Sequence, residues 1–298
     1  PNFCILAKTV SRSKRSDYIS FLKIRLATLV VFSAAITYVL SSWETDSFSW
    51  YKLFCVIIGG FLITGASNGL NQISEKHLDA KMKRTENRPL PQNRMTVKEA
   101  WLIAILTGVI GVLILTFALN LLTGLLGLIS LILYAWVYTP LKQRTSWSVF
   151  VGAFPGALPP MIGWIAATGE FSPQAISLFA LQFIWQFPHF WAIAWVAHED
   201  YSKAGFKLLP ADKGPTKFTA IQGIMYSVLM IPVGILPYYF GYTGMTSAVI
   251  VIMCNVFMVV QSIRLYQQMD VKAARRVMFS SYIYLPIVLL ALLADKIK

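Results

Sequence analysis

Nine apolar runs, each close to the length that crosses a lipid bilayer, limit what this chain can fold into. They fall at roughly residues 22–41, 53–71, 100–119, 121–139, 148–168, 174–197, 217–240, 246–266 and 277–294. A hydrocarbon core about 30 Å thick takes about 20 residues of helix, and inside it every backbone N–H and C=O must find its partner within the protein. The runs therefore predict an all-α integral membrane protein of about nine transmembrane helices. Pro155, Pro159, Pro160, Pro188, Pro232, Pro237 and Pro286 fall within them. Kinks are expected there, with neighbouring helices taking up the freed carbonyls.

Composition agrees, with 56% of residues hydrophobic and 13% charged, against about 25% charged in a soluble domain. In a soluble chain a net charge of +13 would point to nucleic acid; in one this apolar it reflects topology, and no nucleic-acid partner is expected. With the amino terminus cytoplasmic, nine crossings place residues 1–25, 76–98, 142–144, 203–217 and 264–276 on that side, and these hold 23 of the 26 Lys and Arg. Only Lys52, Lys296 and Lys298 fall opposite, the bias that orients membrane helices. The chain divides into a basic cytoplasmic segment, 1–21, and one transmembrane domain, 22–298, whose carboxyl end lies on the far side. Loops there, such as 119–121 and 239–245, are short and nearly uncharged, so the chemistry is expected on the basic side. Cys4, Cys55 and Cys254 are far apart and read as packing residues. No short apolar core precedes a small-residue cleavage site, so no removable signal peptide is expected.

The second run ends in an unusual way, in N-G-L-N-Q-I-S-E-K-H-L-D-A-K-M-K-R-T-E-N-R-P-L-P at 68–91. Asn71, Glu75 and Asp79 recur at four-residue spacing and share one face if the helix continues. Lys81, Lys83, Arg84 and Arg88 follow at once. Acceptors able to hold a divalent cation thus stand beside donors able to hold phosphate, the pairing of a metal–diphosphate site. The sixth run carries a second polar stripe, Gln182, Gln186 and His189, in register with Asp200, and then Lys203, Lys207 and a Leu209-Pro210 pair. The two halves look like distant copies, a duplicated four-helix unit with a site where the copies face each other. Any one of Glu75, Asp79, Glu199 or Asp200 taken alone reads equally well as a solvated helix end. Several in register with amides and a histidine inside membrane segments read as function, because polar groups are costly there. His77 and His198 adjoin charged residues and read as interfacial.

Four ordered strings carry a resemblance: N-Q-I-S-E-K-H-L-D-A-K-M-K-R-T-E-N-R-P-L at 71–90, Y-T-P-L-K-Q-R-T-S at 138–146, G-A-F-P-G-A-L-P-P-M-I-G-W at 152–164, and Q-F-P-H-F-W with D-Y-S-K-A-G-F-K-L-L-P between 186 and 210. They resemble the UbiA-type intramembrane prenyltransferases, and the form containing Glu75 is similar to the haem-modifying branch of that family. The resemblance covers about residues 20 to 290 and implies that the nine helices form a bundle around a central cavity. It implies transfer of the farnesyl group of farnesyl diphosphate to a vinyl group of haem b, with addition of water, giving haem O and diphosphate. It also implies Mg²⁺ as cofactor, with Asn71, Glu75 and Asp79 holding metal from one half and Asp200 from the other. Those four and His189 form the expected catalytic set, while Lys81, Arg84, Arg88, Lys142, Arg144, Lys203 and Lys207 would bind diphosphate or the haem propionates.

The wider family carries several aspartates in its second signature, where this chain offers His189, Glu199 and Asp200, so equal metal ligation from both halves does not follow. His189 is expected to contact substrate ahead of relaying a proton or touching haem iron. A bacterial inner membrane is the expected location, with a haem A synthase as a candidate partner. Prenylation of a quinone precursor or chlorophyllide, and membrane transport, are the rival readings. Transport would put polar groups at the middle of several helices, whereas here the acids gather at one face.

Overall fold

The computed structural model describes residues 13–44, 46–211 and 214–297; Cys4, Lys8, Arg12, Lys213 and Lys298 lie outside them. Among the described residues the chain is helical and contains no strand beyond one isolated bridge between Thr243 and Lys296. A short helix α1 (Lys14–Leu22) leads into α2 (Ile24–Glu44) and α3 (Trp50–Ser74), and a single turn α4 (Lys76–Asp79) follows. Then come α5 (Val97–Leu119), α6 (Leu121–Leu141) and α7 (Ser148–Thr168). The second half comprises α8 (Pro173–Val196), a short α9 (His198–Lys203), α10 (Lys217–Tyr239), α11 (Met245–Gln268) and α12 (Val271–Ala294).

Eight of these helices are long and apolar enough to cross a membrane. The ninth expected crossing, α8, is a helix of 24 residues, as long as its neighbours. Gln182, Gln186 and His189 lower its hydropathy and give it a polar flank. Each expected run coincides with one long helix. Starts are set by side-chain caps: Thr96 accepts from the Glu99 N–H at 3.1 Å, Asn120 from Thr123 at 2.8 Å, and Asp270 from Ala273 at 2.6 Å, each satisfying a donor the first turn leaves open.

Proline explains how α7 and α8 meet. Pro159 and Pro160 lack the N–H groups that would bond to the carbonyls of Pro155 and Gly156 within α7. Ser130 Oγ of α6 donates to the Pro155 oxygen at 3.3 Å, and Gln182 Nε2 of α8 donates to the Gly156 oxygen at 2.7 Å. One residue pair on, Gln186 Nε2 reaches the Ala153 oxygen at 3.0 Å. Gly156 makes this approach possible, because a Cβ there would collide with the Gln186 side-chain amide.

Alternation of the long helices gathers the 75–96, 142–147, 197–216 and 269–270 connections and the start of α2 at one end of the bundle. Two of them begin with the same break. Helix α3 stops at Glu75 (φ −98°, ψ 10°) and α8 at Ala197 (φ −98°, ψ 15°), and each is followed by a short acid-bearing turn. The expected continuous helix through Asp79 is therefore interrupted. The stacking survives the break, since the Glu75 N–H still bonds to the Asn71 oxygen at 2.9 Å and that of Asp79 to the Glu75 oxygen at 2.8 Å. Asp200, by contrast, lies past the second break and leaves the line of Gln182, Gln186 and His189.

Candidate active site

Beneath the 75–96 loop lies a buried electrostatic cluster. Glu75, 5% exposed, accepts from Lys142 Nζ at 2.8 Å, and Lys142 is itself 7% exposed. Asp79, wholly buried, accepts from Arg88 Nη1 at 2.7 Å through Oδ2, while its Oδ1 has no hydrogen-bond partner. Thr85 Oγ1 donates to the Asp79 carbonyl at 2.8 Å, folding the loop back so that Arg88 reaches the acid nine residues behind it. Asn71 is buried one turn deeper on α3, with its Nδ2 also unpartnered.

Lys23 completes the cluster. It occupies the joint between α1 and α2 in the left-handed region (φ 49°), which turns the chain from one helix into the next without a loop. Two α3 side chains hold that joint: Gln72 Nε2 donates to the Phe21 oxygen at 2.6 Å and Asn68 Nδ2 to the Leu22 oxygen at 3.4 Å. Burial, then the neighbouring Arg88 and Lys142 cations, hold the Lys23 ammonium well below the ordinary lysine range, against the pull of Glu75 and Asp79. Burial would lower Lys142 too, but Glu75 reverses this and leaves it raised. For Asp79, burial raises the carboxyl more than Arg88 lowers it. Three basic side chains thus face two carboxylates, an inner site poised to take an anion.

The second half supplies an outer layer. The Arg84 backbone N–H donates to Asp200 Oδ2 at 3.3 Å, and the Arg84 guanidinium donates to Tyr201 Oη at 3.2 Å. Lys203 Nζ stands 3.9 Å from Asp200 Oδ1. The Lys207 N–H donates to the Lys142 oxygen at 2.7 Å and Gln143 Nε2 to the Ala204 oxygen at 3.3 Å, pinning the 198–210 turn over the inner cluster. Among the described residues no three of His, Cys, Asp and Glu form a ready metal-binding group. Glu75 and Asp79 stand together while Asp200 faces them across the loop. Lys81 and Arg144 are exposed on the loop surface, as are the side chains of Lys203 and Lys207.

Beside the cluster, joined to it where Lys142 meets Tyr138, lies a cavity of about 240 Å³ lined by residues of α2, α3, α5, α6, α7, α8 and α12, most of them apolar. A stretch of α6 near its end, Leu133–Tyr138, is π-helical. Tyr134 and Tyr138 on it line the cavity, and the Lys142 ammonium stands 4.7 Å from the Tyr138 ring and 5.6 Å from that of Phe206. His189 lines the opposite wall, stacked on Trp185 at 4.6 Å. Its Nδ1 lies 2.7 Å from Ser281 Oγ, and Ser281 spends its own proton on the Met278 carbonyl at 2.6 Å. Nδ1 must therefore donate, which leaves Nε2 a bare acceptor, a tautomer assigned from the network. The polar stripe of α8 thus divides: Gln182 and Gln186 serve the proline-broken α7, and His189 faces the cavity.

Lys23 and the two tyrosines had no sequence signal that marked them as site residues. Lys23 reads as one more topology-setting charge, and only the α1–α2 joint turns it inward.

An apolar cavity inside a membrane bundle, roofed by facing acid-and-cation loops, defines the class: an intramembrane prenyltransferase. The sequence profile of the UbiA prenyltransferase family matches residues 29–283, and the chain belongs to that family. It is 47% identical over 285 residues to the protohaem IX farnesyltransferase of Cytophaga hutchinsonii, covering 96% of this chain and 99% of that one. It is 45% identical over 286 residues to the protein of that name from Flavobacterium psychrophilum, covering 94% of each. In fold it is similar to a digeranylgeranylglyceryl phosphate synthase (TM-score 0.78, 18% identity, 94% and 98% of the two chains). It is likewise similar to a UbiA homologue from Archaeoglobus fulgidus bound to GPP and Mg²⁺ (TM-score 0.72, 15% identity, 93% and 99% of the two chains).

Proposed function

We propose that this enzyme transfers the farnesyl group of farnesyl diphosphate to a vinyl group of haem b, adding water and releasing diphosphate to give haem O. The observation that carries the chemistry is the cluster of Lys23, Glu75, Asp79, Arg88 and Lys142, with Glu75, Asp79 and Lys142 buried, beside an apolar cavity. The relatives at 45–47% identity carry the choice of acceptor.

Farnesyl transfer breaks the allylic C–O bond, forms a C–C bond to the vinyl group, and ends when a water oxygen captures the porphyrin-side cation and loses a proton. The charge that develops on the departing diphosphate must be met in place. Lys142, Arg88 and Lys23 do this from the inner cluster, and Arg84 and Lys203 from the outer layer. Mg²⁺ suits the donor set, because Asp79 Oδ1 is a buried carboxylate oxygen without a partner and Glu75 stands one turn away, hard oxygen ligands of the kind it takes. Asn71, Glu75 and Asp79 would hold it, with Asp200 across the loop; when bound it neutralises diphosphate charge as a Lewis acid. The cavity walls keep water from the allylic cation, and Tyr134 and Tyr138 turn aromatic faces toward it. His189 offers Nε2 to the haem side, as an acceptor that positions the acceptor substrate or takes its proton. The exposed Lys81, Arg144 and Lys207 would serve the propionates.

The charge asymmetry supports a site on the cytoplasmic face of a bacterial inner membrane, with the carboxyl terminus opposite and a haem A synthase as the natural recipient of product. The test is incubation of detergent-purified protein with haem b, farnesyl diphosphate and Mg²⁺, with EDTA and Asp79→Asn controls, read by mass spectrometry. A haem heavier by farnesyl plus water, lost in both controls, is expected. Unchanged haem with prenylation of an aromatic acid or chlorophyllide would overturn the acceptor and keep the diphosphate site.

A further inference from the structure

Away from the active site, on the outer face of the bundle, α11 and α12 part to form an open groove of about 500 Å³. Its walls change character along their length. At the loop end stand Arg264 and Arg276; Gln261 and Ser280 follow one turn in; Phe257, Met253, Ile283 and Ile287 line the rest. From Arg264 to Met253 is 11 residues of helix, about 16 Å at 1.5 Å per residue, which is about half of a 30 Å hydrocarbon core. The groove therefore spans one leaflet, from interface to midplane.

Its polar end is unsatisfied in two independent ways. Neither arginine has a carboxylate partner among the described residues; Arg276 donates only to Gln268 Oε1 at 3.3 Å, and Asp270 is occupied in capping Ala273. Gln261, 5% exposed, lines the floor with its Oε1 unpartnered. A side-chain amide without a partner is costly in hydrocarbon. Because its two ends interchange on rotation, it can answer an ester carbonyl or a hydroxyl at that depth. A transmembrane helix would fill the full bilayer thickness and bring no anion to the arginines. An amphiphile with a phosphate at the interface, an ester or glycerol just below and a hydrocarbon chain reaching the midplane matches each level in turn.

We propose that the α11–α12 groove is a binding site for one anionic phospholipid of the leaflet that adjoins the basic loops. Its phosphate lies between Arg264 and Arg276, its glycerol ester region at Gln261 and its acyl chain against Phe257, Met253 and Ile283. This site is separate from the prenyl-transfer cavity and does not depend on which acceptor that cavity prenylates.

The test uses the full chain, delipidated in detergent and titrated with phosphatidylglycerol or phosphatidylcholine, with bound lipid counted by native mass spectrometry and melting followed in parallel. One phosphatidylglycerol is expected to bind and raise the melting temperature, while phosphatidylcholine binds at least tenfold more weakly. R264Q/R276Q should bind phosphatidylglycerol roughly thirtyfold more weakly, from about 1 kcal/mol per arginine near an anionic headgroup at 1.4 kcal/mol per tenfold. Gln261→Leu, which keeps both arginines, should lose roughly tenfold. Equal binding of the two lipids, undiminished binding by R264Q/R276Q, or displacement of the bound lipid by farnesyl diphosphate would each overturn the proposal. So would a stable dimer that forms through this face and excludes lipid.

Discussion

Lys142 and Glu75 meet at 2.8 Å between the end of α6 and the end of α3, with both side chains almost wholly buried. Sixty-seven residues apart in sequence, they tie the first acid-bearing turn to the loop beneath the second. Removing one partner strands a charge away from water, at about 3–5 kcal/mol. Lys142→Met is therefore expected to melt well below the wild type and to lose farnesyl diphosphate affinity. The double variant Glu75→Gln/Lys142→Met should regain most of the melting temperature and none of the turnover. Recovery of both would reduce the pair to scaffolding.

Lys23 makes the pH dependence legible. Its ammonium is held below the ordinary lysine range, so it loses its charge at a lower pH than a solvated lysine. The affinity for inorganic diphosphate, measured in EDTA, should fall as pH rises through that window. Lys23→Arg, charged at every accessible pH, should abolish the fall; Lys23→Met should weaken binding at neutral pH by roughly ten- to a hundredfold, as one charge-assisted hydrogen bond does. Stability runs the other way, because the unfolded chain there binds more protons than the folded one and stability rises with pH. A diphosphate affinity flat with pH in the wild type would exclude Lys23 from the anion site.

Ser281 sets the tautomer of His189. Ser281→Ala removes the acceptor at Nδ1 and lets the imidazole proton move to Nε2. Haem-dependent turnover should drop on the order of tenfold, the cost of about one hydrogen bond, with the KM for farnesyl diphosphate unchanged. Ser281→Thr, which keeps the hydroxyl, should restore it. Equal loss in Thr and Ala variants would point to packing alone.

Gln182 predicts a compensation. Gln182→Leu leaves the Gly156 carbonyl without a partner, at about 1–2 kcal/mol inside a membrane bundle, and should lower the melting temperature. Adding Pro160→Ala returns an N–H to that same carbonyl within α7 and should recover the loss. A double variant no more stable than Gln182→Leu would mean the freed carbonyl is satisfied in some other way.

What could be read from the sequence and what could not differ for physical reasons. The spans were legible because 20 apolar residues have few other fates, and the pairing of Glu75 with Asp79 because one four-residue period stacks them locally. The basic residues could not be ranked: Lys81 and Arg144 occur in the same motifs as Arg88 and Lys142, yet point outward, and only the backbone path decides. Gln182 and Gln186 announce themselves as costly groups in a membrane helix. Their partners are carbonyls of another helix, freed by Pro160 in one case, and no spacing rule along α8 reveals that. Lys23 was hidden most thoroughly, because a left-handed residue between two helices reverses the direction in which an interfacial lysine is assumed to point.

The paired breaks at Glu75 and Ala197 limit where this chain can change length. Beyond Asp79 and Lys203 the loops are held in register too, by Thr85 and Arg88 on Asp79 and by the Lys207 N–H on the Lys142 carbonyl. Between Asn71 and Glu75 one inserted residue would swing the carboxylate about 100° around the helix, off Lys142 and into lipid or core. The candidate site is thus written as intervals as much as residue types. Homologues should tolerate substitution on the flanks of α3 far better than a single insertion or deletion in its last turn.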